Sequence, residues 1–138
     1  MLDPVMLQAA SEVTVIDGAG YDPAHRQANA RLLVERDSRR IAEIAELLCD
    51  TVPGATGMDW MEWPEVSFVF LSGRRVLREL GLLSRADHVR DAEYPDLPLC
   101  RPLAVDDWLR AAGVHLRHPP ARREPAVDHP IRKPRDAV

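Results

Sequence analysis

The sequence predicts an α+β fold: a small antiparallel sheet with two main helices in the order β-β-α-β-β-β-α, followed by a disordered C-terminal tail. Three observations predict it. Val13-Thr14-Val15-Ile16 is a β-branched run closed by the turn-rich Asp17-Gly18-Ala19-Gly20. Ile41, Ile44, Ala45 and Leu48 recur at helical spacing behind Asp37-Ser38. Val66-Ser67-Phe68-Val69-Phe70-Leu71 and Val76-Leu77-Arg78-Glu79-Leu80 flank Ser72-Gly73-Arg74-Arg75 as the arms of a β-hairpin. Branched and aromatic side chains suit a pleated, half-buried surface, whereas apolar residues three and four apart line one helix face.

The remaining elements follow in chain order. Asp3 at an N-cap with Pro4 behind it starts a short, frayed helix in an N-terminal segment, residues 1–11. Residues 23–36 allow two readings. Asp22-Pro23 can open a long helix, or Ala30-Arg31-Leu32-Leu33-Val34-Glu35 is a strand ending before Asp37; the fresh N-cap at Asp37 favours the strand. In the helix that follows, Arg39, Arg40, Glu43 and Glu46 take the wet side, and Pro53-Gly54-Ala55-Thr56-Gly57 ends it. Past the hairpin, the Ser84-Arg85 turn leads to a short strand around Asp87-His88-Val89-Arg90. Pro95, Pro98 and Pro102 then keep the chain irregular up to a last helix over Leu103 to Ala112, with Gly113 as its positive-φ stop. The α+β domain is expected over residues 12–114. Residues 115–138 hold five prolines and few apolar groups, too little to offset the entropy of ordering.

A chain of 138 residues, 46% hydrophobic, supports a single core, and with three Trp, two Tyr and two Phe that core must be mainly aliphatic. Residues 1–114 carry 12 Arg against 19 Asp and Glu, a net of −7, whereas residues 115–138 carry six basic against three acidic groups, a net of +3. An acidic body disfavours direct nucleic-acid binding outside the tail and suits a basic protein partner. The N-terminus lacks signal-peptide features and no run has the length of a membrane span, so a cytoplasmic location without membrane contact is expected. Cys49 and Cys100 are read as free thiols.

No catalytic or metal-binding residues are assigned and no cofactor is implied. His115 and His118 stand three apart beyond the final helix with no completing ligand. Asp106-Asp107 fit the favourable N-terminal end of a helix dipole. His25 and His88 have no nucleophile motif beside them, and Gly18-Ala19-Gly20 lacks a dinucleotide-binding context. Were the protein an enzyme or ligand-binding domain, its site would have to gather His88, Arg90, Asp106 and Asp107 from separate segments.

Met58-Asp59-Trp60-Met61-Glu62-Trp63-Pro64-Glu65 is the most unusual stretch, with two tryptophans, two methionines and three carboxylates. It reads either as a cover for the open end of the core or as a protein-binding site of Asp59, Trp60, Glu62, Trp63 and Glu65, since Trp and Met are enriched where partners dock. Asp37 with Ile41 and Leu48, Phe68 and Phe70 with Gly73-Arg74-Arg75, Val89-Arg90, and the ending Trp108-Leu109-Arg110-Ala111-Ala112-Gly113-Val114 resemble a group of small uncharacterised bacterial α+β proteins with a terminal WL-x-x-x-GV helix. The resemblance spans about residues 12 to 114, but Met58-Asp59-Trp60-Met61 stands where such proteins have Cys-x-Cys, which removes any thiol-based role. It implies an immunity-like or accessory binding role. A structural component of a phage or secretion-type assembly is the alternative.

Overall fold

The computed structural model describes residues 3–19, 30–55, 62–83, 85–91 and 94–122. The elements run α1 (Pro4–Gln8), β1 (Glu12–Asp17), β2 (Arg31–Glu35), α2 (Ser38–Cys49), β3 (Val66–Ser72), β4 (Arg75–Leu83), β5 (His88–Asp91), β6 (Tyr94–Pro98) and α3 (Pro102–Ala111). The strands form one antiparallel sheet in the order β2-β1-β3-β4-β5-β6. Among the described residues no helix is long and apolar enough to cross a membrane.

Strand register explains how so few aromatics make a core. Val15 lies opposite Phe68, and Phe68 opposite Leu80; Val66 faces Leu82, Leu82 faces Val89, and Val89 faces Leu97. Because side chains alternate across a strand, these rows share one face of the sheet. Ile41, Ile44, Ala45 and Leu48 of α2 and Val105, Trp108 and Leu109 of α3 join them in one buried cluster. The period-2 stripe of the strands thus meets the helical stripe of α2, as the sequence anticipates.

The caps are local and legible. Asp37 Oδ1 accepts the Arg39 backbone N–H at 2.9 Å, and Asp3 Oδ1 accepts that of Val5 at 2.9 Å. The latter start is followed by a fully buried Leu7, so α1, expected to be frayed, is anchored in the core. Gly73 takes φ 62 at the first central position of the β3–β4 turn, the hand that two-residue hairpins require.

Three features depart from expectation. Residues 94–98 form an edge strand rather than irregular chain; Pro95 and Pro98 are tolerated because an edge strand needs donors on one side only. Arg40, expected on the wet side of α2, lies over the Trp108 ring with its Cζ 4.1 Å from the centroid. Packing also runs past Val114, because Leu116 is buried in the same core cluster as Trp108. The expectation of a disordered tail can be compared only over residues 115–122, which are placed; residues 123–138 lie outside the described residues, as do residues 23–29 of the ambiguous stretch. The strand reading of Ala30–Glu35 is realised as β2.

Candidate functional site

The segment leading into β3 is fastened to the outer face of the sheet, opposite the helices. Phe68 points at Trp108 in α3, with ring centroids 6.0 Å apart, so Ser67 and its cross-strand neighbour Gly81 point the other way. A Cβ on Gly81 would stand 2.5 Å from Pro64 Cγ and 2.8 Å from Pro64 Cβ. Only glycine lets the Pro64 ring lie this close to β4. Gly81→Ala is therefore expected to cost about 1–3 kcal/mol through overpacking, read as a lower urea midpoint with unchanged slope.

Backbone pairing fixes the same segment lengthwise. Glu65 N–H donates to the Leu82 carbonyl at 3.1 Å, and Gly18 N–H donates to the Glu65 carbonyl at 2.8 Å. Ser67 Oγ donates to the Gly18 carbonyl at 2.7 Å. From β5, Arg90 sends Nη1 to the Glu62 carbonyl at 2.7 Å while Nε and Nη2 fork onto Asp96 at 2.9 and 2.8 Å. Asp96 is 2% exposed, so this pair is desolvated and holds the guanidinium in one orientation.

Held in this way, Trp63 stays 55% exposed and Glu62 is exposed beside it. Glu65 is half-buried, and its carboxylate accepts the backbone N–H groups of Arg117 and His118, the second at 2.9 Å. Arg117 also reaches Asp17 at 2.7 Å. Glu65 therefore joins the chain after α3 to the β1 and β3 ends, and does not face solvent as an unoccupied anion. Asp59 and Trp60, the other residues of the expected binding site, lie outside the described residues.

The residues that a catalytic site would need are not brought together. His88 and Arg90, two apart on β5, share the outer face, Arg90 pairing across the sheet with Gly81, whereas Asp106 and Asp107 are on α3, which covers the inner face, so the two pairs stay apart. Asp106 is fully buried and its Oδ2 accepts from Arg110 at 3.2 Å and Arg122 at 2.8 Å. Among the described residues no group of three or more His, Cys, Asp and Glu is placed to hold a metal ion.

Cys49, at the end of α2, is no better placed for nucleophilic chemistry. Burial, then the charges of Asp3 and Asp91, push its thiol up to about 11, against a smaller opposing effect of Arg78. A thiol in that range is about a hundredfold poorer in thiolate at neutral pH than one titrating near 9. Iodoacetamide at pH 8 is expected to modify the exposed Cys100 first and leave Cys49 largely unmodified, read by peptide mass mapping.

Sequence reasoning found the Trp63 segment but missed its fastenings. Gly81 in the middle of a strand was the available signal, since an interior strand glycine marks close approach of another group. The Arg90–Asp96 fork had no such signal, because it depends on β6 existing. No family model matches the chain, and neither a curated protein nor a solved structure shows significant similarity to it.

Proposed function

We propose that this is a noncatalytic binding protein, immunity-like or accessory in role, that docks a basic protein partner through the acidic segment around Trp63. The observation that carries the reading is the exposed Trp63 indole on a backbone held by Pro64, Glu65 and Arg90. A large ring on a fixed support loses little entropy when it is covered, which is the property of an interface hot spot. Glu62, exposed beside it, supplies negative charge at its edge. The net negative charge of residues 1–114 would steer a cationic partner toward it.

Affinity capture with the full chain tests this reading. Trp63→Ala is expected to weaken capture of the basic partner by about 2 kcal/mol, roughly thirtyfold, with little change in fold stability because the ring is largely outside the core. Glu62→Lys should slow association most at low salt. Equal recovery by native protein and both variants would overturn the proposal.

A further inference from the structure

The sheet has two edges, and only one of them is protected. β6 carries Pro95 and Pro98, the Pro98 carbonyl accepts from the Val52 N–H at 3.0 Å, and Thr51 bridges Leu99, so that edge is blunted. β2, at the other end of the strand order, contains neither proline nor lysine, and its Leu32 is 41% exposed. Register identifies the backbone groups left there. Gly18 N–H donates to the Glu65 carbonyl, so Ile16 and Thr14 turn their backbone groups toward β3, while Asp17, Val15 and Val13 turn theirs toward β2. Asp17 N–H accordingly donates to the Ala30 carbonyl at 3.0 Å. Leu33 and Glu35, opposite Val15 and Val13, spend their groups on β1. In an extended chain each carbonyl points opposite to the next N–H, so the Val34 N–H and the carbonyls of Leu32 and Val34 point away from the sheet. Among the described residues no group pairs with them. The register shift at Val15/Ile16 leaves residues 33–35 in regular pairing.

We propose that β2 pairs antiparallel with β2 of a second copy of this chain, about a two-fold axis at Leu33. Self-complementarity of Arg31-Leu32-Leu33-Val34-Glu35 selects that occupant. In this register the Val34 N–H of each copy donates to the Leu32 carbonyl of the other, Leu33 lies beside Leu33, and Leu32 lies opposite Val34. Arg31 of one copy then stands at the end occupied by Glu35 of the other. Arg31 is exposed and has no carboxylate partner among the described residues. Glu35 Oε1 accepts from Arg40 at 2.8 Å, whereas its Oε2 accepts the Asp37 N–H at 3.2 Å, a backbone donor that leaves the charge of that oxygen available to a second cation. Slipping the pairing by one step either way sets Leu33 against Glu35 or against Arg31, so the aliphatic match holds in this register alone. Edges this short bury less surface than an obligate interface, which makes the dimer a reversible one.

The inference is independent of the Trp63 segment and is tested on the full-length chain by sedimentation equilibrium from micromolar to millimolar concentration. The mass is expected to rise from 15.5 kDa toward twice that value, and exchange of the Val34 amide should slow in parallel. Val34→Pro removes a donor that the β1 ladder does not use, and two main-chain bonds are lost across the two-fold axis, so dimerisation should weaken at least about tenfold. Leu32→Lys, a change at an exposed position that leaves the backbone donors in place, should weaken it in the same direction and decides the matter if Val34→Pro fails to fold. Trp63→Ala should leave the dimer unchanged. A mass of 15.5 kDa at every concentration, or self-association that resists Leu32→Lys and Val34→Pro alike, would overturn the proposal. So would a Val34 amide already protected at the lowest concentration, since a segment of the same chain would then cover the edge.

Discussion

Arg90→Ala is expected to lower the unfolding free energy by about 3–5 kcal/mol, the cost of removing one partner of a buried ion pair. The guanidinium forks onto Asp96, and its remaining Nη1 holds the Glu62 carbonyl, so the substitution both strips a 2% exposed carboxylate of its cation and releases the segment that carries Trp63. Arg90→Lys should recover only part of the loss, because an ammonium cannot reproduce the planar fork. Urea titration of the two single variants and of Arg90→Ala with Asp96→Ala gives the check: the double variant should be less destabilised than the sum of the singles. A loss below 1 kcal/mol for Arg90→Ala would contradict the role given to this pair.

Trp108→Ala carries the second large effect, about 3–5 kcal/mol for deleting a large ring from the core. The indole does more than fill space. Its edge meets Phe68, Nε1 donates to the Arg40 carbonyl at 3.0 Å, and the Trp108 carbonyl accepts from Arg40 Nη2 at 3.0 Å, so α2 and α3 are joined in both directions. Trp108→Phe keeps the ring contact and leaves the Arg40 carbonyl without its donor, which should cost about 1–3 kcal/mol. Thermal unfolding of the two variants should rank them in that order. A Tm for Trp108→Phe equal to that of the native protein would show that the indole N–H contributes nothing.

What the sequence made legible is the part set by short-range pattern. The Asp37 cap, the apolar stripe of α2 and the two arms around Gly73 need only neighbours three or four residues away, and each formed where expected. What it concealed depends on distant partners. β6 contains prolines that argue against a strand, and it forms only because β5 offers a free edge. Arg40 reads as a solvated arginine until Trp108, 68 residues later, is brought beneath it. Arg85 and Ala86 take φ values of 60 and 63 in the β4–β5 turn, where no glycine announces a left-handed backbone. Glu65 illustrates the same limit at the candidate site: composition groups it with Glu62, while the fold commits its carboxylate to the backbone of residues 117 and 118.

Trp63 was conspicuous in the sequence for its type, and the fold adds the reason that type matters. Gly81, Pro64 and the Arg90–Asp96 pair form a support whose cost is borne by buried charge and close packing on the outer face. Val76, on the hairpin, is as exposed as Trp63 but offers only a small aliphatic group.

Site-specific photocrosslinking tests the docking role of this surface most directly. A benzophenone side chain placed at position 63 of the full chain is expected to form a discrete adduct with a basic protein, lost on Glu62→Lys, while the same group at position 76, where the native valine is 57% exposed, forms none. Adducts that are equal at the two positions, or absent at 63 alone, would contradict it.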